Sequence, residues 1–418
     1  MNRDYLTIRK QHKIFEIIYV IYMFFVFNIP NSIFYTSDLN IFVLIMAFFS
    51  FVVFILNVFH SNRIKKSKLR DANSFVVPMG FITLVSIFTS IHIHHAAIRP
   101  DTTQSLFRFI MYAASFIVAM QSITWFGKKA LILYLLSGCI SYFTVIIKYI
   151  AYGGIYGITH IFNYEVNGVT LEVNNFTYVC ALCFIYYLLS NQYTKKQKKK
   201  ILPLLFINII LGDKRAIYFA MLVTFFVYFL FHKQKEKHLV ILRITFILYI
   251  VSAFVYLFLI KFGGFSLLLQ KFNIDDMSRL KFWNYFQNSY DLAPSYWGRG
   301  ISYTDNIMGM KSTIDEMQIT IYTNIHNDIL RAYIGFGFIP FLYYFINFFL
   351  LRVKQFQRIG KSDVGWKYYA VASYYFFIMF FDNMFTAPNF NIAFFMVYLM
   401  LEHYEDNKEL RVGNIKYE

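Results

Sequence analysis

A chain of 418 residues that is 58% hydrophobic, 21% aromatic and only 15% charged has too little polar surface to cover itself in water, where domains carry about 25% charged residues. Disorder is excluded as well, because disordered chains are poor in aromatics and this one holds 51 Phe and 34 Tyr. The formal charge of +17 raises nucleic acid as a partner, but Lys and Arg fall in short runs between apolar stretches. That distribution argues against nucleic acid and for lipid as the solvent of most of the chain. Cys139, Cys180 and Cys183 lie inside apolar stretches and read as small buried hydrophobes, without disulfide or zinc-ligand spacing. The first apolar run lacks a small-x-small cleavage site and continues at full length, so it reads as a span, not a signal peptide.

Runs of about 17–25 apolar residues predict spans at Phe15–Phe34, Ile41–Phe59, Phe75–Ile93, Leu106–Phe126, Ala130–Ala151 and Val173–Leu189. Further spans are expected at Ile201–Leu211, Ala216–Phe231, Val240–Ile260, Ile329–Leu351, Trp366–Phe381 and Phe390–Leu401. The fold class expected is therefore an all-α polytopic membrane protein of about 12 transmembrane helices. Basic residues test that count. Lys13, Arg63, Arg70, Lys128, Lys195–Lys200, Lys233–Lys237, Arg352–Lys367 and Lys408–Lys416 bracket runs that all fall on one side of a twelve-span arrangement. The positive-inside rule makes that side cytoplasmic, with both termini inside. The expected organisation is spans one to nine over 1–261, an outer loop over 262–328, spans ten to twelve over 329–404 and a cytoplasmic tail over 405–418.

The outer loop is long enough to be functional and carries short helices. Asp276 is positioned to cap one of them, in which Met277, Leu280, Trp283 and Phe286, with Phe282 beside them, form an apolar stripe; such a helix would lie on the outer membrane surface. Ionisable residues at a membrane edge are costly and functional by default, which singles out three places. One is the hinge Gly212-Asp213-Lys214-Arg215 after the short seventh run. Lys214 and Arg215 there leave net positive charge, and Arg offers a donor fork matched to phosphate. An ordinary tight turn with snorkelling side chains is the plainer alternative. Another is Arg279, one turn before Trp283, where a wet surface arginine is an equal account. The third is Thr323-Asn324-Ile325-His326-Asn327-Asp328 leading into span ten. Thr323 or Asn324 can cap that helix, with His326 in its first turn. His326 can bond a phosphate oxygen or take a hydroxyl proton, or it is a wet histidine at a cap. Two or three cations and an imidazole facing one outer cavity suit a pyrophosphate.

Weaker features are His92, His94 and His95, which lack a further ligand to complete a metal site, and Asp382-Asn383, which a turn explains equally. Walker, Rossmann and nucleophile-elbow motifs are absent from the sequence.

Four elements in order carry a family likeness: Asp213-Lys214-Arg215-Ala216, Arg279-Leu-Lys-Phe-Trp283, Gly298-Arg299-Gly300, and His326-Asn327-Asp-Ile-Leu330 followed by Gly335-Phe-Gly337. In this the chain resembles the bacterial O-antigen polymerase and O-antigen ligase superfamily of integral membrane glycosyltransferases. The architecture is similar over the whole chain, and the motifs over Leu211–Gly337. The usual hinge is Ser-Arg-Gly-like, and here Asp213-Lys214 precede the arginine. The resemblance implies a GT-C type glycosyltransferase acting on an oligosaccharide linked to undecaprenyl pyrophosphate at the outer face of the inner membrane. It implies inverting, metal-independent transfer with no cofactor. Arg215 and Arg279 would hold the pyrophosphate, and His326 would orient or deprotonate the acceptor hydroxyl or bind phosphate. Lys214 and Arg299 would add to the field, Asn327 would serve beside His326, and Trp283, Tyr296, Trp297 and Tyr303 would stack on sugars, an interfacial belt being an equal account of them. A chain-length regulator is left open as a partner. Polymerase is favoured over ligase because the Phe-, Ile-, Tyr- and Lys-rich composition suggests an AT-rich gene. The rival class is a lipid-linked oligosaccharide flippase, which should carry charge along the bilayer midplane.

Overall fold

The computed structural model describes residues 13–27, 41, 43–52, 66–93, 98–161, 171, 174–233, 238–273, 279–308 and 325–405, and every regular element among them is helical. In chain order these are α1 (Lys13–Phe27), α2 (Val43–Val52), α3 (Lys66–His92), α4 (Ile98–Phe126) and α5 (Ala130–Thr159). Next come α6 (Asn174–Leu189), α7 (Lys195–Leu211), α8 (Arg215–Lys233) and α9 (His238–Lys261). The outer-loop region contributes α10 (Gly264–Lys271), α11 (Arg279–Phe286) and α12 (Tyr303–Met308). The last group is α13 (Asp328–Phe336), α14 (Phe338–Phe345), α15 (Arg352–Arg358), α16 (Ser362–Ile378) and α17 (Pro388–Tyr404).

Among the described residues, three helical stretches are long and apolar enough to cross a bilayer: Arg70–His92, Thr102–Thr159 and His238–Lys261. The second is 58 residues long, far more than the roughly 20 that one crossing needs. A 3₁₀ turn at Gly127–Lys129 divides it into α4 and α5. Gly127 has φ +56° there, and a Cβ would stand 3.1 Å from the Tyr404 hydroxyl. The outward faces confirm an integral membrane protein. On α3, Val77, Phe81, Leu84 and Phe88 are all more than half exposed and recur at helical spacing. On α9, Val240, Ile244, Ile247 and Leu248 do the same, and Val251 and Val255 are about half exposed. An exposed stripe of that size is unfavourable in water and neutral in lipid.

Inside, α16 and α17 form the axis. Every residue from Asn389 to Glu402 on α17 is buried. α17 packs on α4 and α6, α8 packs on α16, and α7 packs on α6. Buried tyrosines account for much of the aromatic excess. They fill volume and donate to carbonyls that have no water to turn to. Tyr134 donates to the Asn389 carbonyl at 2.7 Å, Tyr256 to Phe380 at 3.0 Å and Tyr368 to Phe348 at 2.7 Å.

The expected tenth span, Ile329–Leu351, is not one helix. It breaks at Gly337 (φ +82°), resumes as α14 and passes through a π-helical turn at Ile346–Leu351. The break has a steric cause. The Gly298–Gly300 segment runs against Gly335–Gly337 backbone to backbone: Arg299 N–H donates to the Ile334 carbonyl at 2.8 Å, and Gly300 N–H to Gly335 at 3.1 Å. A Cβ on Gly298 would meet the Gly337 nitrogen at 2.5 Å, and one on Gly337 would lie 2.2 Å from the Trp297 carbonyl carbon. The two Gly-x-Gly elements are thus halves of one joint, which docks the outer loop onto α13. Gly337→Ala is expected to destabilise the protein by about 2–3 kcal/mol through overpacking and positive φ; the thermal melting point of the solubilised protein would measure this, and an unchanged value would contradict the joint.

Candidate active site

The α7–α8 hinge, the lead into α13 and the turn between α16 and α17 meet at one buried carboxylate, Asp382, with the start of α11 beside them. His326 Nδ1 lies 3.1 Å from Asp382 Oδ1, and the Asn383 N–H donates to the same oxygen at 2.8 Å. Tyr178 on α6 donates its hydroxyl to Asp382 Oδ2 at 3.0 Å. Lys214 and Arg279 complete the group. Lys214 feels the charge of both Asp382 and Arg279, and Tyr178 feels both Asp382 and Arg279. Burial works against the charge on Asp382. The His326 hydrogen bond and charge, the Lys214 charge and the Asn383 N–H outweigh it and hold the carboxyl below its usual range. Lys214 is shifted the other way for a base: burial lowers its pKa, Asp382 resists, and the like charge of Arg279 adds to the lowering.

Local structure explains how these side chains converge. Gly212 lies where a Cβ would collide with Thr177 Oγ1 at 2.2 Å, so the hinge closes onto α6 beside Tyr178. Asp213 takes φ +40° and His326 φ +45°. Only three non-glycine residues with positive φ occur among the described residues, the third being Asn273. Two of the three therefore flank this site, as strained backbone at a working site does. Trp283 donates its indole N–H to the Ile325 carbonyl at 3.0 Å and is buried, fixing the residue before His326. Asn327 is the N-cap of α13: its side chain accepts the Leu330 N–H at 3.0 Å and donates to the Tyr256 hydroxyl at 3.0 Å.

This corrects the capping expected from sequence. The cap of α13 is Asn327, while Thr323 and Asn324 lie outside the described residues; His326 precedes the cap instead of occupying the first turn. The turn is tight because Ile329 N–H is committed to the Met379 carbonyl at 3.1 Å. The expected surface helix is also different. α11 buries Phe282, Trp283 and Phe286, with Trp283 edge-on to Tyr256 and Phe265 at 6.1 and 5.3 Å, so its stripe faces protein. Asp276 lies outside the described residues.

Lys214, Arg279 and His326 are therefore brought together, with Trp283 and Asn327 behind them. Arg215 is the first residue of α8 and is exposed, with no ion pair among the described residues. Arg299 braces the loop instead: its Nε donates to the Ser289 carbonyl at 2.6 Å, and its guanidinium lies 5.3 Å from the Tyr303 ring centroid. Asp382, set among the weaker features by the sequence because a turn explains it equally, is the carboxylate at the centre of the cluster. Its signal is an Asp-Asn pair between two almost wholly apolar helices. His92 is exposed and packs on Phe88 at 4.7 Å; His94 and His95 lie outside the described residues.

The arrangement is built for an anion. Neither α8 nor α11 has an acidic residue in its first turn, where acids usually settle on the positive helix end. Cations stand there instead, at Lys214, Arg215 and Arg279. Helix N-termini with added cations call for negative charge from outside. Elsewhere, Asp71, Glu402 and His403 bring donor atoms within 4.8 Å of one another. His403 Nε2 is 2.9 Å from Asp71 Oδ2 and Arg70 bonds Glu402, so the cluster joins α3 to the far end of α17 as an ion-pair network.

Residues 201–345 match the family described as O-antigen ligase. Over that stretch, about a third of the chain, the protein is similar to the O-antigen ligase family. The matched stretch runs from α7 to the end of α14 and contains Lys214, Arg279 and His326, while Asp382 lies beyond it. A comparison with curated proteins finds no match.

Two outcomes follow. Because Lys214 loses its proton earlier than an ordinary lysine as pH rises, Lys214→Arg should move the alkaline limb of the activity profile upward, guanidinium staying charged throughout; a pH–rate series of both proteins measures it, and coincident limbs would refute the role of the Lys214 charge. Asp382→Asn should lower the transfer rate by about 10²–10³-fold while the protein still accumulates in the membrane, because the imidazole loses the anion that orients it; near-normal turnover would show that His326 needs no such partner.

Proposed function

We propose that the protein is a polysaccharide polymerase joining oligosaccharide repeat units carried on undecaprenyl pyrophosphate at the outer face of the bacterial inner membrane. The observation that supports this best is the convergence of Lys214, Arg279 and His326 on Asp382. Nδ1–H of His326 held by the carboxylate leaves Nε2 as the ring's acceptor. In the transfer, the acceptor hydroxyl gives its proton to Nε2 while its oxygen forms a bond to the anomeric carbon of the donor glycan. The bond from that carbon to the diphosphate oxygen breaks on the opposite face, so the configuration inverts. The electron pair leaves with the lipid diphosphate, whose growing charge meets Lys214, Arg279 and the N-termini of α8 and α11. Arg215, at the rim of the same hinge, attracts the diphosphate as it enters. Twelve spans with both termini in the cytoplasm would put this cluster on the outer side, consistent with the run of basic residues on the other.

A ligase reading has one observation in its favour, the description of the matching family. In that case the same chemistry delivers the finished glycan to lipid A core. A flippase is disfavoured because the charges of the Asp382 cluster are gathered at one end of the bundle.

Expression of Arg279→Ala or His326→Ala in a polysaccharide-deficient strain separates these. A polymerase defect leaves single repeat units on the surface without long chains, and turnover falls by about 10²–10³-fold as expected for loss of a transition-state donor. Loss of all surface glycan, with long lipid-linked chains accumulating behind it, would identify a ligase; loss of all glycan without such chains would identify a flippase.

A further inference from the structure

A second charged group lies beside the Asp382 cluster and takes no part in it. Arg331, on α13, is almost wholly buried and reaches Asp305 Oδ1 at 3.1 Å, Asp328 Oδ1 at 3.5 Å and Thr386 Oγ1 at 3.0 Å. Asp305, on α12, also binds Arg108 of α4 at 2.8 Å through its other oxygen. The Phe385 N–H donates to Asp328 Oδ2 at 2.6 Å. Three loop and helix elements are thereby fixed to α4, and between them is a cleft lined by Phe107, Arg108, Tyr112, Phe385, Thr386 and Asn391. Its walls are held by ion pairs, Arg108 and Arg331 against Asp305 and Asp328, and a buried arginine stripped of its partner would be left as an uncompensated charge.

The cleft and the catalytic cluster are the two sides of one short turn. Asp382 faces His326, and Thr386, four residues on, lines the cleft. Four residues span at most about 14 Å, so an oligosaccharide a few rings long could reach from the cleft toward His326. The lining joins flat apolar surface (Phe107, Phe385, Tyr112) to hydrogen-bonding groups (Arg108, Thr386, Asn391), which is the pairing that a sugar ring presents in return: an apolar C–H face and a rim of hydroxyls. A transfer between two lipid-linked glycans needs a place for the acceptor as well as one for the leaving diphosphate. The Lys214–Arg279 side supplies only the second.

We propose that the cleft between α4 and the 385–391 segment is the acceptor saccharide subsite, an inference that rests on the glycosyl-transfer reading above.

Two probes test it on the full-length protein in lipid nanodiscs: undecaprenyl pyrophosphate without glycan, and the oligosaccharide released from the host strain's own lipid-linked repeat unit. Met111, on α4, also lines the cleft, and Met111→Trp would fill it. Phe107 is 37% exposed, so Phe107→Ala removes stacking surface without emptying the core. Both variants should weaken oligosaccharide binding, Phe107→Ala by about three- to tenfold, and leave the affinity for undecaprenyl pyrophosphate within twofold. Lys214→Ala should do the reverse. Equal oligosaccharide binding by wild type and both variants overturns the subsite, as does wild type that binds undecaprenyl pyrophosphate but not the oligosaccharide. Wild type that binds neither probe overturns the transfer reading itself, and the subsite with it.

Discussion

A single buried carboxylate organises one end of this protein. Asp382 has almost no contact with solvent, and an ionised carboxylate in that position is unfavourable by several kcal/mol unless it is paired and hydrogen-bonded. Its partners come from four separate elements: Tyr178 from α6, Lys214 from the α7–α8 hinge, His326 from the lead into α13, and Asn383 from its own turn. Each partner is fixed by satisfying that charge. The carboxylate thus sets the orientation of the imidazole and draws the lysine inward, and Arg279 completes a field that is positive overall. A field of that sign is costly in the resting protein and becomes favourable when a dianion enters.

The glycine joint is the mechanical counterpart. The 298–300 and 335–337 segments approach so closely that no side chain fits between them, and their hydrogen bonds tie the outer loop to the start of the broken tenth span. That joint helps to fix α11 relative to α13, and with it Arg279 relative to His326. Trp283 serves the same end from the other side by bonding the Ile325 carbonyl. The aromatic richness of the chain and the precision of its site are connected, since tyrosine and tryptophan supply both bulk and the donors that irregular backbone needs where water is scarce.

Arg215 and Lys214 show how one residue of register matters. Both follow the same glycine, yet Lys214 precedes α8 and turns toward Asp382, whereas Arg215 starts the helix and is exposed. A helix begins where hydrogen bonding permits, and the Ile217 N–H bond to the Lys214 carbonyl at 3.0 Å sets that start.

The amino-acid sequence by itself determined the helical, lipid-embedded character of the chain, because apolar run length and the dearth of charge leave no other stable state. It also singled out Lys214, Arg279 and His326, because a charge beside a membrane demands a reason wherever it occurs. Only the tertiary structure decided that Asp382 joins them, that Asn327 and not Thr323 or Asn324 caps α13, that Trp283 faces inward, and that the run over Ile329–Leu351 is broken. Each of these depends on a partner far away in the chain: Tyr178 for Asp382, Tyr256 for Asn327, Ile325 for Trp283, Gly298 for Gly337. Local pattern reports what a segment would do alone, and a buried charge or a backbone-to-backbone contact is settled by what the rest of the chain brings to meet it.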